Sequence, residues 1–145
     1  MAFDAHKNFA FSTVLTAPAP ALSGTSLVLQ AGDGAKFPAA PFNVVIWPTG
    51  VQPTAANAEI VRVTAKNVDT LTITRAQEGT AAVSIIIGYQ VANACTSKVI
   101  TDIESVVTRG AVPPIDPPAA TAILFVQDNG DVFMNDQAGH WAKLL

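Results

Sequence analysis

The stretch from Glu59 to Thr74, EIVRVTAKNVDTLTIT, constrains the fold more than any other part of this 145-residue chain. Val61 and Val63 alternate with Arg62 and Thr64, and Leu71 and Ile73 alternate with threonines. Successive side chains of a strand point to opposite faces, so a period of two reads as two half-buried strands. Asn67, Val68 and Asp69 turn the chain between them. Helical apolar positions would instead recur every three or four residues. The segment is a β-hairpin, and a lone hairpin is marginal in water, so its neighbours must complete a sheet.

Those neighbours read as strands too. PFNVVIWP is rich in β-branched and aromatic residues and is bracketed by Pro41 and Pro48. TSLVLQAGDGAKFP gives a strand followed by a Gly-Asp-Gly turn, and SIIIGYQVANA gives one or two more, with Gly88 at a bend or bulge. Residues 25–97 therefore form a β domain. Before it, Pro18 and Pro20 impose an extended, polyproline-like path, so residues 1–24 read as an arm that docks rather than folds. Removing the arm is expected to leave the β domain folded.

After Ser97 the period changes: Ile100, Ile103, Val106 and Val107 recur at helical spacing, which predicts one short helix over 98–110 with Ser97 and Gly110 at its ends. Four prolines within 113–118 make residues 111–119 a semi-rigid spacer. Residues 120–145 read as short strands joined by Asn129-Gly130 and Ala138-Gly139 turns, with Gly and Asn suited to a type I′ hairpin. The expected fold is mainly β: a compact antiparallel barrel or sandwich-like domain with an extended N-terminal arm, one short helix and a C-terminal β tip.

Composition narrows the function. Only 13% of residues are charged, about half the usual share, while 50% are apolar. Surfaces so poor in charge tend to be interfaces, and a homo-oligomer, with a trimer favoured, is expected. The net charge is −3 and the basic residues form no cluster, which argues against nucleic acid. Cys95 is the single cysteine, so no disulfide framework or zinc set is expected, and its plainest role is that of a small buried hydrophobe. The first residues lack a signal-peptide pattern, and no apolar run is long enough for a membrane span.

Chemistry, if any, would lie in residues 59–82, where Glu59, Arg62, Arg75, Gln77 and Glu78 gather. They could form a carboxylate–arginine site. The plainer reading is cross-strand ion pairing on a solvated or interface face, with Gln77 and Glu78 serving the turn at Gly79. A carboxylate with no partner base, nucleophile or metal does not make an acid–base catalyst. Asp128 to Asp131 lacks the oxygen spacing of a calcium loop, and AGDGAKFP lacks the Gly-Lys-Ser/Thr of a phosphate-binding loop. His140 and Trp141 read as a packing pair. No catalytic, metal or cofactor-binding residue is assigned, and no cofactor is expected. Arg75, Gln77, Glu78, Gly79, Asn129 and Gly130 are structural turn residues. The interface candidates are Phe3, Phe9, Phe11, Pro18, Pro20, Trp47, Phe125, Phe133 and Trp141.

FPAAPFNVVIWP, AEIVRVTAKNVDTLTITRAQEGTAA and VITDIE together resemble a β domain of virion proteins of tailed bacteriophages. The matching positions are Phe37, Pro38, Pro41, Phe42, Glu59, Ile60, Val61, Val63, Thr64, Thr70, Leu71, Thr72, Arg75, Gln77, Glu78, Gly79 and Thr80. The opening MAFDAHKNFAFSTVLTAPAP is similar to the start of small phage structural proteins, so the resemblance covers about residues 1–104. It implies a non-enzymatic virion protein whose partners are other virion proteins. One form is a capsid decoration, or cement, protein clamping the major capsid protein. The other is a tail fibre, spike or baseplate component. Without a partner base, a metal set or an exposed aromatic platform, a wall-degrading hydrolase and a carbohydrate-binding sandwich fit less well.

Overall fold

The structure is a computed structural model that describes residues 4–104, 107–110, 124–127, 129–135 and 141–144. The chain divides into two units, Asp4–Thr96 and a second running from Ser97 onward.

The first unit is a closed, six-stranded antiparallel barrel. Its strands are β1 (Phe11–Thr16), β2 (Ser26–Leu29), β3 (Phe42–Trp47), β4 (Glu59–Asn67), β5 (Thr70–Thr74) and β6 (Gln90–Ala92). They follow one another around the wall as β1-β2-β5-β4-β3-β6, and β6 returns to β1. Alternation sorts each strand into wall and core. Val14, Leu27, Val44, Ile46, Val61, Val63, Leu71, Ile73 and Val91 point inward and are buried. Phe37 and Phe42 stack within the same core, with centroids 6.1 Å apart. The hairpin expected over 59–74 is β4–β5, and the β domain is a barrel.

The expected arm does not stand apart. Phe11–Thr16 is a wall strand, paired with β2 through Val14↔Leu29 and with β6 through Phe11↔Ala92. It closes the barrel, so deletion of residues 1–24 would open two ladders and expose the core. The polyproline-like path is also replaced: Pro20 O accepts from Ser23 N at 3.2 Å and Gly24 N at 2.6 Å, turning the chain back into β2. Gly24 is required there, since a Cβ would lie 2.6 Å from Ala19 N.

A short 3-10 turn over Asp33–Lys36 crosses one end of the barrel. Asp69 holds it by accepting from Gly32 N at 2.9 Å and Gly34 N at 2.7 Å. Lys66 Nζ donates to the carbonyls of Gly34 and Phe37 at 2.7 and 2.9 Å. A Cβ on Gly34 would sit 1.9 Å from Val68 O, so the close approach of the two backbones demands glycine.

In the second unit, α1 covers Ser97–Glu104, and β7 (Val107–Gly110) follows it. The helix expected to reach 110 stops six residues earlier, and Gly110 belongs to a strand rather than a helix end. Val107–Gly110 pairs in parallel with β8 (Leu124–Gln127), and this ladder takes over from the helical pattern. Antiparallel β9 (Val132–Asn135) and β10 (Trp141–Lys143) complete a sheet of order β10-β9-β8-β7. Gly130 takes the left-handed φ of +94° in the β8–β9 turn, while the Asn129 side chain accepts from Asp131 N at 3.0 Å. The spacer 111–119 and the Ala138-Gly139 turn lie outside the described residues.

Candidate functional site

The polar residues of 59–82 form two arrangements, one inside the barrel and one on its wall. Glu59 opens β4 and shares its parity with Val61 and Val63, so it points inward and is fully buried. Arg75 follows β5 with the parity of Leu71 and Ile73 and reaches the same barrel end, 9% exposed. The two meet as a bidentate pair, Nε to Oε1 at 2.8 Å and Nη2 to Oε2 at 2.7 Å.

Every remaining position of this pair is filled by backbone. Glu59 also accepts from Ala76 N at 2.7 Å and Val83 N at 3.0 Å. Arg75 donates to the carbonyls of Val83 at 2.6 Å and of Ala21 and Gly24 at 3.2 Å each. The planar guanidinium thus uses all its donors. Burial pushes the Glu59 carboxyl up. The Arg75 guanidinium and the Val83 and Ala76 N–H groups outweigh it and hold the carboxyl below the usual range.

A carboxylate held this way has no free lone pair facing solvent with which to take a proton from a bound molecule. Its work is mechanical: one ion pair fastens the 20–24 turn, the Ala76 turn and the segment at Val83 to the barrel end. The expectation of an ion pair on a solvated or interface face is corrected for Glu59 and Arg75. Removing these charges from water is tolerable only because each is fully matched. The signal was present in the sequence, since strand parity places Glu59 with the valines and Arg75 with the inward residues of β5.

The segment after Arg75 continues this anchoring. Ala76, Glu78 and Gly79 have φ of +54°, +52° and +77°. The resulting turn brings Gln77 N to Ile60 O at 2.8 Å and places Thr80 Oγ1 to accept from Ile60 N at 3.0 Å. Gln77 and Thr80 thus supply Ile60 with the ladder bonds that β5 no longer reaches. Gln77 Nε2 also donates to Arg75 O at 2.8 Å.

On the outer wall, Arg62 stands opposite Asn43 and Thr74. Its Nη1 donates to Asn43 Oδ1 at 3.1 Å and pairs with the Asp4 carboxylate. Asn43 Nδ2 donates to Glu78 Oε1 at 2.7 Å. Asp4, preceding β1, is thereby tied to the turn that follows β5.

The next outward row, two residues along each strand, differs in kind. Phe11 stands opposite Ala92, Ala92 opposite Val45, and Val45 opposite Ile60. This apolar row crosses four strands without a charge. Trp47 flanks it, with its ring centroid 6.4 Å from that of Phe11. At the Ile60 end, Val45, Pro53, Thr54, Ala55, Ala58, Ile60 and Thr80 line an open depression of about 220 Å³.

The other interface candidates separate by environment. Phe9 is 92% exposed with a φ of +59°, and Pro20 is exposed. Pro18 is buried in the barrel unit, and Phe125 is buried against Phe133 and Trp141 at 6.2 and 5.9 Å. These last three form the apolar centre of the second unit. Phe3 and His140 lie outside the described residues. Cys95 is exposed, contrary to the expected buried hydrophobe: it sits beyond β6, where the chain has left the barrel wall. Among the described residues, no three His, Cys, Asp or Glu converge as a metal set, and no helix is long and apolar enough to cross a membrane.

No protein-family model matches the chain, and no curated protein matches it.

Proposed function

We propose that this chain is a non-enzymatic structural protein of a tailed-phage virion, acting as a capsid decoration protein that binds and stabilises neighbouring capsid subunits. The observation that carries this reading is the uncharged outward row Phe11–Ala92–Val45–Ile60. Phe11 is exposed and the other three are half-buried; the row lies on a barrel whose buried ion pair is consumed in holding its own backbone, and apolar surface left in water gains free energy when a neighbour covers it. The resemblance of residues 1–104 to phage β domains supplies the virion setting. A second reading, a tail fibre or baseplate component in which the barrel is an adaptor, is favoured by the division between barrel and C-terminal unit.

Co-sedimentation of the purified chain with separated heads and tails of its phage tests both. Binding to heads at a stoichiometry near that of the capsid subunit supports the first reading, and a few copies bound only to tails supports the second. Binding to neither would sink both. Glu78→Ala is expected to loosen the turn at 76–80 and to abolish no turnover; loss of a measurable catalytic activity with this change would overturn the non-enzymatic reading.

A further inference from the structure

We infer that Asn129 is a site of self-modification: its side-chain amide is lost to attack by the Gly130 backbone nitrogen, the folded β8–β9 turn holds that reaction back, and the carboxylate it leaves keeps the sheet of the second unit from closing again.

Of the nine glycines in the chain, Gly130 alone follows an asparagine. The asparagine amide is among the less durable side-chain groups of a protein. Its Cγ can close a five-membered ring with the next backbone nitrogen, and a glycine there has no Cβ to obstruct the approach. In the first step the Gly130 nitrogen gives its proton to water and bonds to Cγ. The Cγ–Nδ2 bond breaks, and the amide nitrogen takes up a proton and leaves as ammonia. Water then opens the resulting cyclic imide. Opening at Cγ yields aspartate; opening at the main-chain carbonyl yields isoaspartate, whose main chain is one methylene longer. Water is the only co-reactant, and nothing is oxidised or reduced.

Asn129 and Gly130 are both exposed, so water reaches them. Three hydrogen bonds oppose the ring closure. Gly130 N already donates to Gln127 O at 2.9 Å. Asn129 Oδ1 accepts from Asp131 N at 3.0 Å, and Nδ2 donates to Asp131 Oδ2 at 3.1 Å. The nucleophile's proton is engaged and the amide is tethered at both of its polar atoms to Asp131. Reaction therefore waits on opening of the turn, a local event that costs less than unfolding the whole unit.

The products do not fit the turn they come from. A carboxylate at 129 has no Nδ2 to donate and sets a like charge against the Asp131 carboxylate, leaving Lys143, at 2.9 Å from Asp131, to balance both. Isoaspartate lengthens the main chain between β8 and β9, whose register is Phe125↔Phe133 and Val126↔Val132. A shift of that register turns side chains to the wrong face and separates Phe125 from Phe133, the contact on which the sheet centres. Residues 4–96 hold no Asn-Gly pair, so this ageing strikes the second unit and spares the barrel.

Peptide mapping by mass spectrometry of the full-length protein, aged in mildly alkaline buffer with and without urea, tests this. Trp141 emission in a Trp47→Phe background reports the state of the sheet. In the folded protein Asn129 is expected to convert at least about tenfold more slowly than in urea. Both aspartate and isoaspartate are expected at residue 129, and the red shift of Trp141 should keep pace with their formation. Asn129→Ser, which retains an acceptor for Asp131 N and has no amide to lose, should keep its emission over the same time. Equal rates of conversion with and without urea overturn the protection by the turn. Complete conversion with unchanged Trp141 emission overturns the effect on the sheet, and so does loss of emission at the wild-type rate in Asn129→Ser.

Discussion

The barrel and the C-terminal sheet use the same building element and secure it in opposite ways. The barrel closes on itself, so none of its strands presents an open edge. Its ends are fastened by ionisable side chains that reach backbone far away in sequence, Arg75 to Ala21 and Gly24, Lys66 to Gly34 and Phe37. The sheet of β7–β10 has two end strands, β10 and β7, and centres on three aromatic rings. Its polar ties are local or exposed, such as Asn129 with Asp131 and Lys143 with Asp131. Closure lets a small barrel bury an ion pair and gain order from it; an open sheet of short strands depends on apolar contact. Each unit carries one tryptophan, Trp47 or Trp141, so the two can be followed separately.

The sharpest way to break this contrast is Glu59→Ala. It leaves the Arg75 guanidinium buried without its counter-ion, and removal of one member of such a pair costs about 3–5 kcal/mol. The urea midpoint followed by Trp47 emission in a Trp141→Phe background should fall accordingly. Arg75→Ala should act likewise, and the double variant should cost less than the sum. A loss below about 1 kcal/mol would mean that closure alone holds the barrel.

Phe125→Ala probes the other unit. Truncating a buried phenylalanine costs about 3–5 kcal/mol, which a sheet of four short strands is not built to absorb. Trp141 emission in a Trp47→Phe background should shift to the red, as in solvent, at temperatures where the wild-type sheet is folded. Unchanged emission would show that the aromatic cluster is not the sheet's anchor.

Gly34→Ala is a smaller change aimed at the barrel end. The added methyl must displace Val68 O, and overpacking of this kind costs about 1–3 kcal/mol or more. The Trp47 midpoint should drop while the Trp141 signal holds.

These effects show what the sequence made legible. The hairpin over 59–74 was readable because both strands alternate and are joined locally. The role of β1 was not, because Phe11 pairs with Ala92, far along the chain, and six residues beside a proline-rich stretch carry no sign of their partners. The buried pair was half legible: strand parity places Glu59 with the inward valines, yet oppositely charged residues on neighbouring strands equally fit cross-strand pairing on a solvated or interface face. Its resolution depends on Ala21, Gly24 and Val83, which converge only in the closed fold. Helical spacing likewise misplaced Val107, since periodicity over a few residues does not distinguish a last helical turn from a strand that finds a parallel partner.

Acidification and salt draw the contrast most finely. The native Glu59 carboxyl lies below its ordinary value of 4.5, so its contribution is complete above that value and is lost as the pH falls through the native one. Asp33 contributes in the same direction through Lys36 and Ser12. In the sheet, Lys143 holds the Asp131 carboxyl below its ordinary 3.8 against the opposing effect of burial, with Asn129 adding to the lowering. Stability should therefore decline in acid for both units, but only the barrel's loss from Glu59 is shielded from solvent. At 1 M salt the screening length shrinks to about 3 Å, which weakens exposed pairs and spares buried ones. Lys143→Ala, which breaks a pair whose own side chains are 53% and 28% exposed, is expected to lower the sheet's midpoint less than any of the changes above, and high salt should reproduce most of that loss in the wild type. Glu59→Gln should flatten the acid limb of the barrel at any salt. If instead salt abolished the barrel's acid limb and left the sheet's intact, the assignment of buried and exposed pairing to the two units would be reversed.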